Sequence, residues 1–317
     1  MSEPYEVAVA ARAAVGLFAR ADRGLVEVRG SERVRWLNGM ISRDVAALAN
    51  EGDGSSPASC EALLLTPKGR VVADLLVIAR PDALWLSCAR AAIAPALEQL
   101  ARFIVADDVD LVDVSEEWRC FALEGPRAAA LVGALEADGV VAARVGDVSA
   151  GRYELRVAVD EAAAVRAALD VVGSELGLVE GDDASFQVLR IEAGRPAYGC
   201  EIDEVLPAEA GLEHALSLEK GCYTGQEIVA RVHSRGRVNR SLVGLAFESG
   251  PPAGGSLLTI DGAEVGRATS TCTAASGPIG LGIVRREHTD LGTLLECDGV
   301  RTSVVGLPHE GRSAARG

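Results

Sequence analysis

The chain has 317 residues, 49% of them apolar and 24% charged, which is the composition of a globular protein of two or three domains. Its formal net charge of −15 excludes a broad DNA-binding face, and aromatic residues, at 4%, are too few for the stacking platforms that bind single-stranded nucleic acid. We therefore expect no direct nucleic-acid partner, and an acidic ligand must bind at a local basic site.

Neither export nor membrane insertion is predicted. Residues 7–19 are fairly apolar, but Arg12 interrupts them and no basic segment precedes them, unlike in a signal peptide. No charge-free apolar stretch reaches the length of a membrane span, about 18 residues. The seven cysteines are odd in number and form no Cys-x-x-Cys pair, so they predict free thiols in the reducing cytoplasm and no metal site.

The first third of the chain predicts an α+β unit. A strand over Leu25–Arg29 ends at Gly30, and Pro67-Lys68-Gly69-Arg70 predicts a tight hairpin turn between two later strands. The predicted elements after Gly30 are a helix over Ser31–Leu37, strands over Glu61–Thr66, Val71–Ala79 and Ala83–Ser87, and a helix over Ala91–Phe103.

The same order of elements recurs further along the chain. The second set comprises strands over Arg119–Leu123, Val140–Val145 and Tyr153–Val159, with helices over Arg127–Glu136 and Glu161–Val172. Gly30 and Gly125 follow corresponding strands in the two sets. The recurrence predicts two related α+β units, each a sheet covered by helices on one face.

The character of the sequence changes from Ser241 onward. Short strands alternate with turns rich in Gly, Pro and Asp, and no helical period of useful length occurs, which is typical of a small β-barrel or sandwich. The predicted strands are Leu242–Phe247, Ser256–Ile260, Glu264–Thr271, Gly280–Val284 and Thr293–Glu296. The predicted domains are therefore 1–115, 116–240 and 241–317.

The octapeptide Lys220-Gly221-Cys222-Tyr223-Thr224-Gly225-Gln226-Glu227 is the most informative segment of the chain. The whole chain has two lysines, Lys68 and Lys220, and both precede glycine. Thr224 and Glu227 have the spacing of a capping box, which predicts a short helix over Gln226–Arg231. An adjacent ammonium and a helix start would both stabilise a thiolate at Cys222. The alternative is a buried, inert cysteine.

Two further segments carry candidate binding residues. Glu192 ends a helical pattern just before Gly194, where its carboxylate would accept two hydrogen bonds from an amidine-like ring edge; an ordinary surface glutamate is the alternative. Residues 231–240 hold four arginines and His233 in an acidic chain, either as a local anion site or as a solvated linker. His233 has no partner at metal-ligand spacing.

At these residues the chain resembles the YgfZ-type folate-binding proteins, relatives of the aminomethyltransferase (T-protein) of the glycine cleavage system. The octapeptide carries the resemblance most specifically. Three further segments are similar to that family: Gly16-Leu17-Phe18, residues 38–45 and residues 190–199.

The resemblance implies a three-domain ring of two α+β units and a C-terminal barrel, with tetrahydrofolate or a one-carbon-substituted folate as ligand. It implies that Glu192 holds the pterin ring, that Tyr198 lines its pocket and that Arg231 meets the glutamate tail. Lys220, Cys222, Gln226 and Glu227 are then a family-specific surface. Such proteins assist iron–sulfur cluster enzymes and tRNA modification, so iron–sulfur proteins or cluster-assembly factors are the implied partners.

One position departs from the aminomethyltransferase pattern of two adjacent aspartates. The first of these positions corresponds to Ala73 and the second to Asp74. A carboxylate is needed to manage a proton during one-carbon transfer, so the alanine puts glycine-cleavage activity in doubt. Three hypotheses stay open: an accessory folate-binding protein for iron–sulfur enzymes, a one-carbon transferase with Asp74 as base, and a non-catalytic scaffold that has lost folate.

Overall fold

The structure, a computed structural model, describes residues 3–48, 57–135, 139–146, 151–236 and 238–308. Its contacts divide the chain into two compact units. The first, which we call the sheet unit, comprises Val9–Asp183 and His214–Gln226. The second, the barrel unit, comprises Met1–Ala8, Ala184–Glu213 and Glu227–Gly317. The three domains expected at 1–115, 116–240 and 241–317 stay a prediction.

The helices and strands follow in chain order. The α-helices are α1 (Pro4–Ala13), α2 (Arg33–Met40), α3 (Ile93–Ala101), α4 (Ala128–Ala134), α5 (Ala162–Leu176), α6 (Asp183–Glu192) and α7 (Gln226–Arg235). The strands of the sheet unit are β1 (Val15–Ala19), β2 (Arg23–Arg29), β3 (Ser59–Leu65), β4 (Val71–Ala79), β5 (Leu84–Ala89), β6 (Asp110–Asp113), β7 (Trp118–Glu124), β8 (Val140–Arg144), β9 (Arg152–Ala158) and β10 (Leu178–Gly181). Those of the barrel unit are β11 (Arg240–Phe247), β12 (Leu257–Ile260), β13 (Ala263–Ala274), β14 (Gly277–Arg285), β15 (Leu294–Cys297) and β16 (Val300–Val305).

The sheet unit contains two five-stranded sheets. The first has the order β3-β4-β5-β2-β6 and the second the order β10-β1-β7-β9-β8. The predicted hairpin turn joins β3 to β4, with the Gly69 amide donating to the Thr66 carbonyl at 2.8 Å. β1, which lies early in the chain, pairs with β7 and with β10, so the second sheet includes the N-terminal strand.

The predicted internal repeat is visible in the two sheets. β2 and β7 occupy corresponding positions, and each is followed by a glycine with positive φ, Gly30 at 100° and Gly125 at 135°. A Cβ at either glycine would lie within 2.5 Å of a backbone oxygen, so only glycine allows the close approach. A helix starts three residues after each glycine, and the later strands β5 and β9 each lead into a 3₁₀ turn and a longer helix.

A shared apolar core joins the two sheets of this unit. Leu76, Ile78 and Trp85 of the first sheet pack in one cluster with Val141 and Ala143 of β8. A second cluster lies between the second sheet and helices α4 and α5. Burial of these side chains is the main free-energy source for the unit, at about 25 cal/mol per Å² of apolar surface.

The barrel unit contains a closed barrel of the strands β11-β14-β13-β12-β15-β16. Its interior is filled by alternating apolar side chains, among them Leu245, Leu258 and Val284, each 0% exposed. The α+β class and the C-terminal barrel expected from the sequence are thus confirmed. Among the described residues, no helix has both the length and the apolar character that crossing a membrane requires.

Candidate functional site

Lys220 anchors the octapeptide inside the sheet unit. Its Nζ donates to the backbone carbonyls of Asn38 at 2.5 Å, Ile41 at 2.9 Å and Arg43 at 2.8 Å, at and beyond the end of α2. The ammonium also lies 5.4 Å from the centre of the Tyr223 ring. A compact ammonium with three donors fits this ring of carbonyls, which a planar guanidinium would not.

Burial lowers the pKa of Lys220 to about 8, although the charges of Asp44 and Cys60 act in the opposite direction. The three hydrogen bonds direct the ammonium to the 38–43 segment, and its charge also acts on the Cys60 thiol. Lys220 thus fixes the backbone that leads to Cys222. The predicted role of Lys220 in activating Cys222 stays a prediction.

Cys222 itself is exposed. The alternative of a buried, inert cysteine is thus excluded for this residue. It lies four residues before the first residue of α7, which begins at Gln226 as predicted and runs on to Arg235 rather than ending at Arg231. An exposed thiol on a backbone held by Lys220 is accessible to a reagent or a partner protein.

Cys60 is a thiol that the sequence did not single out. It lies in β3, and burial raises its pKa to about 11, while Arg43, which hydrogen-bonds it, and Lys220 both oppose that shift. Ser42, which is fully buried, makes a further contact at this end of α2: its hydroxyl donates to the Ala215 carbonyl at 2.6 Å. The chain just before the octapeptide and Lys220 within it are therefore both attached to the residues around the end of α2.

Gly225 brings the octapeptide against the β3–β4 hairpin. Its φ is +83°, and a Cβ there would lie 2.6 Å from the Thr66 carbonyl oxygen and 3.2 Å from the Cα of Gly69. Lys68, the other lysine, is exposed in that hairpin turn. The octapeptide, which contains Lys220-Gly221, thus packs against the hairpin turn that contains Lys68-Gly69.

Among the hydrogen bonds of the described residues, none forms the predicted capping box between Thr224 and Glu227. The Glu227 carboxylate instead accepts a hydrogen bond from Arg231 at 2.8 Å, one helical turn further along α7. Both side chains are well exposed, at 85% for Glu227 and 51% for Arg231. Gln226 is half-buried at the start of the helix. The roles of Gln226, Glu227 and Arg231 in holding a ligand stay predictions.

Asp74 lies in β4, on the opposite face of the strand from the fully buried Ala73. Burial raises its pKa, and the Arg23 guanidinium, whose Nη1 is 3.7 Å from Oδ2, opposes the shift. Its Oδ1 is buried and, within the described residues, makes no hydrogen bond. As a candidate base, Asp74 is therefore already paired with a cation.

Arg23 connects Asp74 to a buried polar network between the two sheets. The Arg156 side chain, 0% exposed, donates to Glu154 at 2.7 Å and to the Ser87 hydroxyl at 2.6 Å. Arg23 also donates to that hydroxyl, at 3.0 Å. Burial disfavours the Glu154 carboxylate, but the charges of Arg156 and Arg23 outweigh it and lower the pKa.

The sequence reasoning missed this network, although β9 contains a signal for it. Glu154 and Arg156 are two residues apart in a predicted strand, so both point to the same face. Two opposite charges on one face of an otherwise apolar strand are most stable when they pair with each other. Their partners Arg23 and Ser87 come from distant strands, which no local pattern identifies.

Glu192 is the last residue of α6 and is 5% exposed. The alternative of a surface glutamate is therefore wrong. Burial, and after it the charge of Glu192, raises the pKa of the Cys272 thiol in β13 to about 12. This thiol therefore stays protonated at neutral pH, and both residues belong to the barrel unit.

Tyr198 lies in the loop that follows α6 and forms an isolated bridge with Ile202. The loop is closed by the Gly199 amide, which donates to the Ile202 carbonyl at 3.0 Å. Glu192 and Tyr198 thus both belong to the barrel unit. Their contacts with a ligand stay a prediction.

The basic segment 231–240 lies partly outside the described residues, because Arg237 is not among them. His233 is exposed on α7. Within the part of the chain that the structure describes, no three His, Cys, Asp or Glu side chains form a metal-ligand cluster.

Comparison with known families gives two matches. Residues 6–220 match the family described as the GCVT N-terminal domain, and residues 239–308 match the CAF17 C-terminal beta-barrel domain. The second match coincides closely with the barrel strands.

Two relatives and one solved structure are similar over most of the chain. An aminomethyltransferase of Saccharopolyspora erythraea is 29% identical, over 96% of this chain and 89% of its own length. A chloroplastic candidate transferase of Arabidopsis thaliana is also 29% identical, over 85% of this chain; the match spans 65% of that relative's length. The crystal structure of the glycine cleavage system aminomethyltransferase T from Bartonella henselae superposes with a TM-score of 0.81 at 21% identity, over 96% of this chain and 89% of that one. This likeness shows a shared fold.

Proposed function

From the premise that the chain belongs to the GCVT N-terminal domain family, we propose that it is a cytoplasmic, reduced-folate-binding accessory protein that supports the assembly or repair of iron–sulfur enzymes, tRNA-modifying ones included. The folate is tetrahydrofolate or a one-carbon-substituted form. The observation that carries the proposal is the burial of Glu192, at 5% exposure, in a segment that the family match covers.

The residues around Glu192 fit a pterin. The N–H edge of a pteridine ring presents adjacent donors, which a carboxylate accepts as a pair, and a desolvated carboxylate binds such donors more strongly than one in water. In this proposal Glu192 accepts from that edge and Tyr198 lines the ring. When bound, the folate supplies the carrier for a one-carbon group.

The accessory role rests on the octapeptide. Cys222 is exposed, and Lys220 fixes the backbone around it, so the thiol is presented to a partner rather than packed away. In this proposal the partners are iron–sulfur proteins or cluster-assembly factors. The match of residues 239–308 to the CAF17 C-terminal beta-barrel domain supports the assignment to the YgfZ-type branch, which the octapeptide suggested.

Two experiments test this function. Calorimetric titration of the protein with 5-formyltetrahydrofolate, which is stable in air, should give saturable binding that Glu192→Gln weakens. In a deletion strain, cluster-dependent enzymes should lose activity, and the wild-type chain should restore it while Cys222→Ser does not. Normal activity of those enzymes in the deletion strain would refute the accessory role.

A folate-dependent one-carbon transferase is the second candidate, because several relatives carry the name aminomethyltransferase. Two observations weigh against it: Ala73 occupies the first aspartate position, and Asp74 is paired with Arg23. Turnover of tetrahydrofolate to its methylene form with an N-methyl or aminomethyl donor would favour the transferase. Full turnover by Asp74→Asn would exclude Asp74 as its base.

A further inference from the structure

A fully buried carboxylate, Glu201, lies at the centre of a polar cluster in the barrel unit. Its Oε1 accepts hydrogen bonds from the hydroxyls of Thr269 and Ser270, both at 2.6 Å. Its Oε2 accepts from Arg190 Nη1 at 3.0 Å and from the Ala197 amide at 2.9 Å. Four donors satisfy one carboxylate, which is the arrangement that allows a charge to be buried without a large penalty.

A β-bulge in β13 makes this cluster possible. The pairing register of β13 with β14 shifts between Ala268 and Ser270, so Thr269 is an extra residue in the strand. In a regular strand, consecutive side chains point to opposite faces, and Thr269 and Ser270 could not reach the same oxygen. The bulge reorients the strand locally, and both hydroxyls meet Glu201 Oε1.

The cluster connects β13 to the end of α6. Arg190 Nη2 donates to the Ser270 hydroxyl at 2.7 Å, and this hydroxyl in turn donates to Glu201 Oε1. Arg190 and Glu192 both lie in the last turn of α6. The Arg190–Ser270 hydrogen bond therefore holds the end of the helix that carries Glu192 against β13.

The cluster also holds the loop that carries Tyr198. Arg190 Nη1 donates to the Arg195 carbonyl at 2.8 Å, and the Arg195 amide donates back to the Arg190 carbonyl at 3.0 Å. The Ala197 amide, next to Tyr198, donates to Glu201. The backbone on both sides of the loop is thus attached to the same buried ion pair.

We propose that Glu201, with Thr269 and Ser270, is a positioning residue of the folate site: it binds no ligand but sets the placement of Glu192 and Tyr198 against β13. This inference rests on the proposed folate binding. It assigns a functional reason to the bulge and to a carboxylate that lies outside the predicted site.

The test compares hydroxyl deletions on one strand. Ser270→Ala and Thr269→Val each remove one donor to Glu201 and leave the Arg190 ion pair in place. Thr271→Val is the matched control, because its hydroxyl donates to the Pro252 carbonyl at 2.6 Å and takes no part in the cluster. Glu201→Gln is the stronger change; should it fail to fold, the two hydroxyl variants still decide the question.

The readouts are the Kd for 5-formyltetrahydrofolate, the unfolding temperature and hydrogen exchange of the Ala197 amide. Ser270→Ala and Thr269→Val should raise the Kd about tenfold, because Glu192 and Tyr198 are then less well placed for the ring, and should speed exchange at Ala197. Thr271→Val should stay within about twofold of the wild type. Ser270→Ala combined with Tyr198→Ala should lose less affinity than the product of the single effects, since both act through one loop.

Four outcomes separate the ideas. The pattern above supports positioning by Glu201. Wild-type affinity in both hydroxyl variants, despite faster exchange at Ala197, would overturn it while leaving folate binding intact; fully multiplicative effects in the double variant would also overturn it. Absence of binding by the wild-type chain would refute the proposed function, and this inference with it.

Discussion

At the scale of single residues, Lys220 places an ammonium among three backbone carbonyls, and burial lowers its pKa to about 8. The unfolded chain would hold that proton up to the ordinary value of 10.5. Between these two pH values the unfolded state binds more protons, so the contribution of Lys220 to stability rises with pH in that window.

The pKa of Lys220 can be measured directly, because the chain has two lysines. Lysine labelled with ¹³C at Cε gives two side-chain signals, and Lys68→Arg identifies the one from Lys220. We expect that signal to titrate near pH 8. A midpoint near the ordinary value of 10.5 would show that the ammonium is not desolvated in the folded protein.

Thiol exposure gives a second prediction at this scale. Cys222 and Cys200 are exposed, whereas burial raises the pKa of Cys88 and of Cys120 to about 12. At pH 7.5 iodoacetamide should therefore modify Cys222 and Cys200 well before the two buried thiols, as mass spectrometry of peptides would show. Cys222→Ser should abolish one fast site. Similar rates at Cys222 and Cys120 would contradict the structure.

At the scale of elements, the octapeptide depends on its close approach to the β3–β4 hairpin. An alanine at Gly225 would need a φ of +83° and would place its Cβ 2.6 Å from the Thr66 oxygen. We expect Gly225→Ala to lower the free energy of unfolding by about 1–3 kcal/mol in urea titrations. Gly221→Ala is the matched control within the octapeptide, since its added Cβ would meet no described atom within 4 Å. Equal effects of the two substitutions would argue against the contact.

The buried network between the two sheets gives a larger effect. Arg156→Met would leave the Glu154 carboxylate without the donor that lies 2.7 Å away, and Ser87 without one at 2.6 Å. Removing one partner of a buried ion pair costs about 3–5 kcal/mol, so denaturant unfolding should show a loss of that size. Arg166→Met, whose side chain is 51% exposed in α5, should cost less than about 1 kcal/mol. Comparable losses would mean that the network contributes no more than a surface ion pair.

At the scale of the whole molecule, local sequence patterns predicted the helices and strands better than they predicted which distant residues contact each other. β4 has the bounds predicted for it, and the short strands and turns after Ser241 predicted a small barrel or sandwich, which the structure shows to be a closed barrel. Short strands such as β6 and β10 were missed because a strand of four residues is too short to show a clear alternation of apolar and polar side chains. β16 was missed for a similar reason: charged Arg301 breaks its apolar run.

The candidate site was predictable in residue identity but not in geometry. Glu192 was recognised from its position at a helix end, and its burial could not be read from the neighbouring sequence. The partners of Lys220 lie as far as 182 residues away along the chain, and the cluster around Glu201 joins residues up to 80 apart. Tertiary structure decides such contacts, and a single sequence contains no signal of which distant backbone oxygen a lysine will meet.

The central claim is that a reduced folate binds with its ring at Glu192, and a crystal structure with 5-formyltetrahydrofolate tests it most directly. The account predicts that the pteridine N–H edge lies within hydrogen-bond distance, about 2.7–3.2 Å, of the Glu192 carboxylate, with Tyr198 beside the ring. A ring bound elsewhere on the chain, with Glu192 still enclosed by protein atoms alone, would contradict it.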